Sequence, residues 1–126
     1  MSQQVGVLDA TFKTATDLSA KQYFLVKLSA DRTVALASAG TDAIIGVLQN
    51  KPKAGEAAVI RLLGTSKVST GTPVGVAFGD YVTSDANGQA IATVTTGNNV
   101  IGIALEAAST AVGDVVEILI TRFHHK

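Results

Sequence analysis

The chain of 126 residues contains no cysteine and no tryptophan, and it is poor in aromatic and charged residues. Without cysteine, disulfides, thiolate metal ligands and cysteine nucleophiles are excluded. The same absence fits synthesis in a reducing compartment. No apolar run reaches the ~18 residues of a membrane helix, because Arg61, Glu106 and Glu117 interrupt the best candidates. The opening "MSQQVGVLDATFK" lacks the basic and then apolar order of a signal peptide. These features predict a soluble chain made in the cytoplasm, with no membrane partner. Tyr23, Tyr81 and four phenylalanines offer little stacking surface for a sugar. Lysines and arginines alternate with acids along the chain, so the clustered positive charge of a nucleic-acid footprint is missing.

The residues of a catalytic centre are also missing. The two histidines, His124 and His125, are neighbours beside Lys126 at the end of the sequence. A preorganised Ser-His-Asp set or a metal site needs ligands that converge and are held in place, which adjacent tail residues do not supply. Gly71, Gly75 and Gly79 have neither the dinucleotide nor the Walker spacing, and no helix pattern follows them. Asp80, Asp85, Asp114 and Glu117 fall singly at turns or on alternating strand positions, as solvated acids do. The expectation is a non-enzyme with no catalytic residue, cofactor, metal or small-molecule substrate. A small hydrolase of unfamiliar kind is the reading least supported.

What the chain does contain is small apolar residues. Hydrophobic residues make up 47% and charged residues 16%, against about 25% charged in a typical domain. The length fits one domain, and that domain has more Ala, Val, Ile and Leu than one core readily hides. Some apolar surface is therefore expected to be covered by copies of the chain or by a partner. Net charge is zero, but residues 1–67 carry eight basic and five acidic groups (+3) and residues 68–126 two and five (−3). The two halves could complement each other between subunits.

The apolar pattern is that of strands from Tyr23 onward. "YFLVKL", "TVALA", "IIGVLQ" and "EAAVIRLL" are separated by turn-rich "SADR", "SAGTDA" and "KPKAG". "GTSKVSTGTPVG" reads as a strand end and then a loop. "DYVTS" and "AIATV" flank Asn87-Gly88, the preferred dipeptide of a tight hairpin. "VIGIALE" and "DVVEILIT" close the chain. Residues 1–20 lack a firm period and are expected to form an extended arm, with a short helical turn in "TDLSAKQ" capped by Thr16 or Asp17.

"IIGVLQNKPKAGEAAVIRLL" and "VIGIALEAASTAVGDVVEILI" are versions of one sentence. Val34 matches Ile91 and Gly40 matches Gly97 at an offset of 57; Ile45, Gly46 and Val47 match Ile101, Gly102 and Ile103 at 56; Glu56 and Ile60 match Asp114 and Ile118 at 58. Two such copies, about 22–63 and 79–121, are too few for a solenoid. They predict an all-β domain at 21–126: a small antiparallel β-sandwich or barrel built from two pseudo-repeats, with the arm at 1–20.

"IIGVLQNKPKAGEAAVIRLLGTSKV", "FGDYVTSDANGQAI" and "NNVIGIALEAAS…GDVVEILI" together resemble the capsid decoration (cement) proteins of tailed bacteriophages. The resemblance covers about Lys21 to Thr121 and leaves out the first twenty residues. It implies a structural virion protein on the outer surface of an icosahedral head, bridging major capsid subunits and stabilising the expanded shell, as a homo-oligomer with a trimer favoured. The candidate capsid contacts are Val5, Leu8 and Phe12 of the arm, with Lys51 and Lys53 of the "KPK" loop as weaker ones. The candidate self-association residues are Val76 and Phe78. The competing reading is a β-rich receptor- or tail-associated binding module of a phage particle.

Overall fold

The computed structural model describes residues 6–72, 75–106 and 111–124. Nine strands form among them: β1 (Gly6–Thr14), β2 (Leu25–Ala30), β3 (Thr33–Leu36), β4 (Ile44–Leu48), β5 (Ala57–Ser69), β6 (Tyr81–Ser84), β7 (Ala90–Ala92), β8 (Asn99–Ala104) and β9 (Val115–His124). No described residue is helical. The expected turn at "TDLSAKQ" is instead a non-helical bend, in which the Asp17 carboxylate accepts the Ser19 N–H at 2.9 Å. The strands follow the order β1-β3-β2-β4-β5-β9-β8-β6-β7, with β1 also paired to β5.

That extra pairing closes a five-stranded barrel, β1-β3-β2-β4-β5. β1 runs antiparallel to β5 through Phe12↔Ala58 and Ala10↔Ile60, and parallel to β3 through Lys13↔Thr33 and Thr14↔Val34. Residues 6–14 of the segment expected as an arm are therefore a wall of the first barrel, and the antiparallel expectation acquires one parallel exception. The arm reading arose because β1 has no clear alternation; bulges at Leu8 displace its register. Leu18, Val26, Val34, Leu48, Ala58 and Ile60 fill the barrel interior, with Phe12 partly buried against them.

The second half repeats much of this barrel's strand register. Val26↔Gly46 recurs as Val82↔Gly102, Leu48↔Ile60 as Ala104↔Ile118, and Phe12↔Ala58 as Val68↔Val116. The closing parallel contact recurs as the bridge Thr70↔Ala90, the counterpart of Thr14↔Val34. The matching turn is also repeated. Gly55 N–H donates to Thr14 O at 2.8 Å, and Gly113 N–H donates to Thr70 O at 2.7 Å. The correspondence thus begins with β1, whose counterpart is the second half of β5. "GTSKVS" is accordingly strand rather than strand end. Its serines hid the pattern, because Ser66 and Ser69 are buried, with Ser66 Oγ accepting from Gln49 Nε2 at 2.9 Å.

One sequence pairing needs correction. Lys27↔Ala35 recurs as Thr83↔Ile91 and Leu28↔Val34 as Ser84↔Ala90, so Val34 corresponds to Ala90 at an offset of 56, not to Ile91 at 57. Matching by residue size misled there, since a buried valine is replaced by a buried alanine. The Asn87-Gly88 hairpin forms as expected. Asp85 N–H donates to Gln89 O at 2.9 Å, and the buried Asp85 carboxylate accepts the N–H groups of Thr72, Asn87 and Gln89 at 3.1, 2.8 and 2.9 Å. Arg32 stands at the counterpart of Gly88, and both adopt positive φ, 52° and 78°.

The barrels meet along a mixed seam. The Gly88 carbonyl accepts Leu25 N–H at 2.7 Å and the Tyr23 carbonyl accepts Ser69 N–H at 3.0 Å. Asn99 N–H donates to Gly40 O at 2.6 Å, and its side-chain amide donates to Asp42 O at 2.7 Å. Leu25, Ala37, Ile44 and Val47 of the first barrel are buried in one cluster with the core of the second.

Gly46 and Gly102 explain the "IG" of both copies. A Cβ at Gly46 would run into the Arg61 carbonyl oxygen of β5, and one at Gly102 into the Leu119 carbonyl oxygen of β9. Neither obstacle is a flexible side chain, so the strands must separate to admit a methyl group. Gly46→Ala and Gly102→Ala are each expected to cost about 3 kcal/mol in urea unfolding, within the range of overpacked cores. A loss below about 0.5 kcal/mol at both sites would show that the close approach does not constrain the barrels.

Candidate docking surfaces

The barrel interiors are filled by side chains, and among the described residues no group of three His, Asp or Glu is arranged to hold a metal. The features left to read are on the surface, where three regions stand out.

The first lies at the beginning of β1. Val7 is 71% exposed, and Leu8 is exposed opposite Leu63 of β5. Beside this apolar strip Arg61 holds Asp9 in a two-pronged pair, Nε to Oδ1 at 2.8 Å and Nη2 to Oδ2 at 3.2 Å, and donates from Nη1 to Thr65 O at 3.1 Å. The strip is thus presented on a braced strand. Of the expected contact residues, Leu8 is on this surface. Phe12 instead packs on the first barrel's core with the Arg32 guanidinium 4.6 Å over its ring, so it is not a free anchor. Val5 lies outside the described residues.

The second region is the loop of Lys51 and Lys53, both exposed at the end of the first barrel. The loop is shaped by Pro52, whose carbonyl accepts Leu18 N–H at 2.9 Å, and by Glu56, whose carboxylate accepts Lys53 N–H at 2.6 Å. Its lysines are presented on an ordered turn some way along the chain from β1.

The third region is on the second barrel. A groove of about 390 Å³ is lined by Gly79, Asp80, Tyr81, Ala92, Thr93 and Val94. Val94 is 86% exposed, and Phe78, next in sequence to Gly79, is 75% exposed. Asp80 is positioned by the Ala77 N–H, which donates to its Oδ2 at 2.9 Å. Phe78 therefore stands where the sequence placed it, on the surface. Val76 does not: at 1% exposure it belongs to the large core cluster, and its side chain is buried inside the subunit. Tyr81 and Val94 were missed because each reads as an ordinary strand residue; the signal that finds Tyr81 is the repeat. Of the tail histidines, His124 ends β9 and His125 lies outside the described residues.

The comparisons agree with a structural role. A family model described as phage cement protein matches residues 1–120. The chain belongs to the phage cement protein family, and is thus a capsid-associated structural protein of the virion. Among solved structures, the N base of the head fiber gp8.5 of bacteriophage phi29 shares the fold, with a TM-score of 0.69 at 20% identity over 94% of this chain and 98% of that one. No curated protein matches the sequence.

One carboxylate at the barrel seam has a displaced titration. The Ser38 N–H donates to Asp42 Oδ2 at 2.7 Å and holds this carboxyl below its usual range against the opposing effect of burial; the Ser38 hydroxyl at 3.1 Å and Lys27 at 3.3 Å add to it. A carboxyl whose folded-state pKa is depressed stabilises the fold above its unfolded value of 3.8, and that contribution fades as pH falls through the folded pKa. Asp42→Asn is expected to lose about 1 kcal/mol at pH 7, with the gap to the parent narrowing below pH ~4. Urea unfolding at pH 7 and pH 3 checks this; a gap that widens in acid contradicts the assignment.

Proposed function

We propose that this protein decorates the outer surface of an icosahedral phage head, binds across neighbouring major capsid subunits, and stabilises the expanded shell. The observation that carries the reading is the match of residues 1–120 to the phage cement protein family. The structure supports it in kind: two filled barrels with large apolar side chains, among them Val7, Leu8, Phe78 and Val94, left exposed on their outside. Synthesis in the host cytoplasm and assembly as a homotrimer belong to the same proposal. A subunit that binds only the expanded lattice stabilises that state by linkage. A trimer on a local threefold converts modest contacts into firm attachment by avidity.

The strip of Val7, Leu8 and Leu63 is the proposed capsid contact, with Lys51 and Lys53 as a salt-sensitive supplement. Removing residues 2–12 would not test this, since it would take out a barrel wall. Leu8→Lys is the better probe because the side chain is already exposed. Co-sedimentation of purified protein with expanded, undecorated heads and with unexpanded proheads is expected to show saturable binding to expanded heads only. Leu8→Lys should weaken that binding at least tenfold while leaving the melting temperature within about 2 °C. Lys51→Ala with Lys53→Ala should weaken it less, and only at low salt. Binding to neither particle would transfer support to the receptor- or tail-associated module.

A further inference from the structure

The two barrels are copies, but their surroundings are not. The first barrel's seam face, formed by Tyr23, Leu25, Leu36 and Ala37, is covered by the β6–β7 hairpin of the second. Gly88 lies against it, giving its carbonyl to Leu25, and a Cβ at Gly88 would sit 3.2 Å from Leu36 Cδ2. At the offset of 56 that relates these strands, the counterparts of the covered residues are Gly79, Tyr81, Ala92 and Thr93. These four line the open groove of the second barrel. The counterpart of the covering hairpin is the β2–β3 turn of the first barrel, Ser29 to Thr33, and Ser29 through Arg32 are exposed. One chain therefore displays both halves of a contact that it already makes once internally.

We infer that a second copy of this chain docks its β2–β3 turn into the groove lined by Gly79, Tyr81, Ala92 and Thr93, repeating between subunits the barrel-to-barrel contact within the subunit. Two observations favour this occupant. The bulk is exchanged in a compensating way: Arg32 replaces Gly88 on the turn, and Ala92 replaces Leu36 on the face it would meet. The Arg32 guanidinium is folded back over Phe12 and donates to Thr11 O at 2.9 Å, which leaves the outer side of the turn clear. Such a contact joins different surfaces of identical chains, so it forms a ring where the rotation closes and a filament where it does not. Phe78 and Val94 at the groove would be covered in the process.

The inference rests on the self-association within the proposed function and is independent of head binding. Because the chain has no cysteine, single cysteines are clean probes. Arg32→Cys and Ala92→Cys are prepared separately, mixed, and oxidised mildly. The expected result is a disulfide-linked dimer joining position 32 to position 92, abundant in the mixture and scarce in either variant alone. Sedimentation equilibrium should show an oligomer for the parent chain and at least a tenfold weaker association for Val94→Asp. A monomer at all concentrations, or an oligomer indifferent to Val94→Asp and without the 32–92 link, overturns the inference. So does a Val94→Asp variant that keeps its oligomer and loses head binding, since the groove would then belong to the capsid. Head binding by Leu8→Lys, measured in parallel, reports separately on the capsid contact.

Discussion

Everything in this fold depends on one strand serving two barrels. β5 runs for thirteen residues; its first half pairs with β4 and β1, and its second half with β9. The hand-over falls at Gly64, which adopts φ +104°, a conformation costly for a residue with a Cβ. A shared strand fixes the two barrels to each other covalently and by register, so their seam needs few polar contacts to be rigid. It also determines what each barrel can expose. The first barrel spends its β2 and β3 flank on the seam, and the second barrel keeps the equivalent flank open.

This arrangement suits a protein that works by contact. Barrel closure removes most sheet edges, which would otherwise invite unspecific strand pairing. Among the apolar residues that remain outside, Val7, Leu8 and Leu63 form the β1 strip, and Tyr81, Val94 and Phe78 lie at the second-barrel groove. The proposed capsid contact and the proposed self-contact use different residues, so the two would not compete. The described lining of the groove carries the Asp80 carboxylate and the hydroxyls of Tyr81 and Thr93.

Much of this was legible in the sequence, and the failures have physical causes. The "IG" steps at Gly46 and Gly102 signalled a close backbone approach, and both meet a carbonyl of the neighbouring strand. The Asn87-Gly88 hairpin was plain because glycine readily takes the positive φ that position 88 adopts. β1 was read as an arm because its residues alternate poorly around a bulge and its partner lies some fifty residues away in sequence. "GTSKVS" was read as no more than a strand end because a buried serine such as Ser66, bonded to the backbone and to Gln49, looks polar in a one-dimensional pattern. The burial of Val76 was equally invisible, since a Gly- and Pro-rich neighbourhood suggests surface. The groove could not be found from composition at all. It emerges only when the repeat is placed on the structure and the covered and uncovered copies are compared.

The central claim is that this twin barrel sits on the outside of the mature shell and ties capsid subunits together. The most direct measurement is a cryo-EM reconstruction of expanded heads with and without the bound protein. The account predicts difference density of paired barrels on the outer surface, across capsid-subunit boundaries, with the β1 strip toward the shell. Density confined to the tail vertex, or barrels touching a single capsid subunit each, would contradict it.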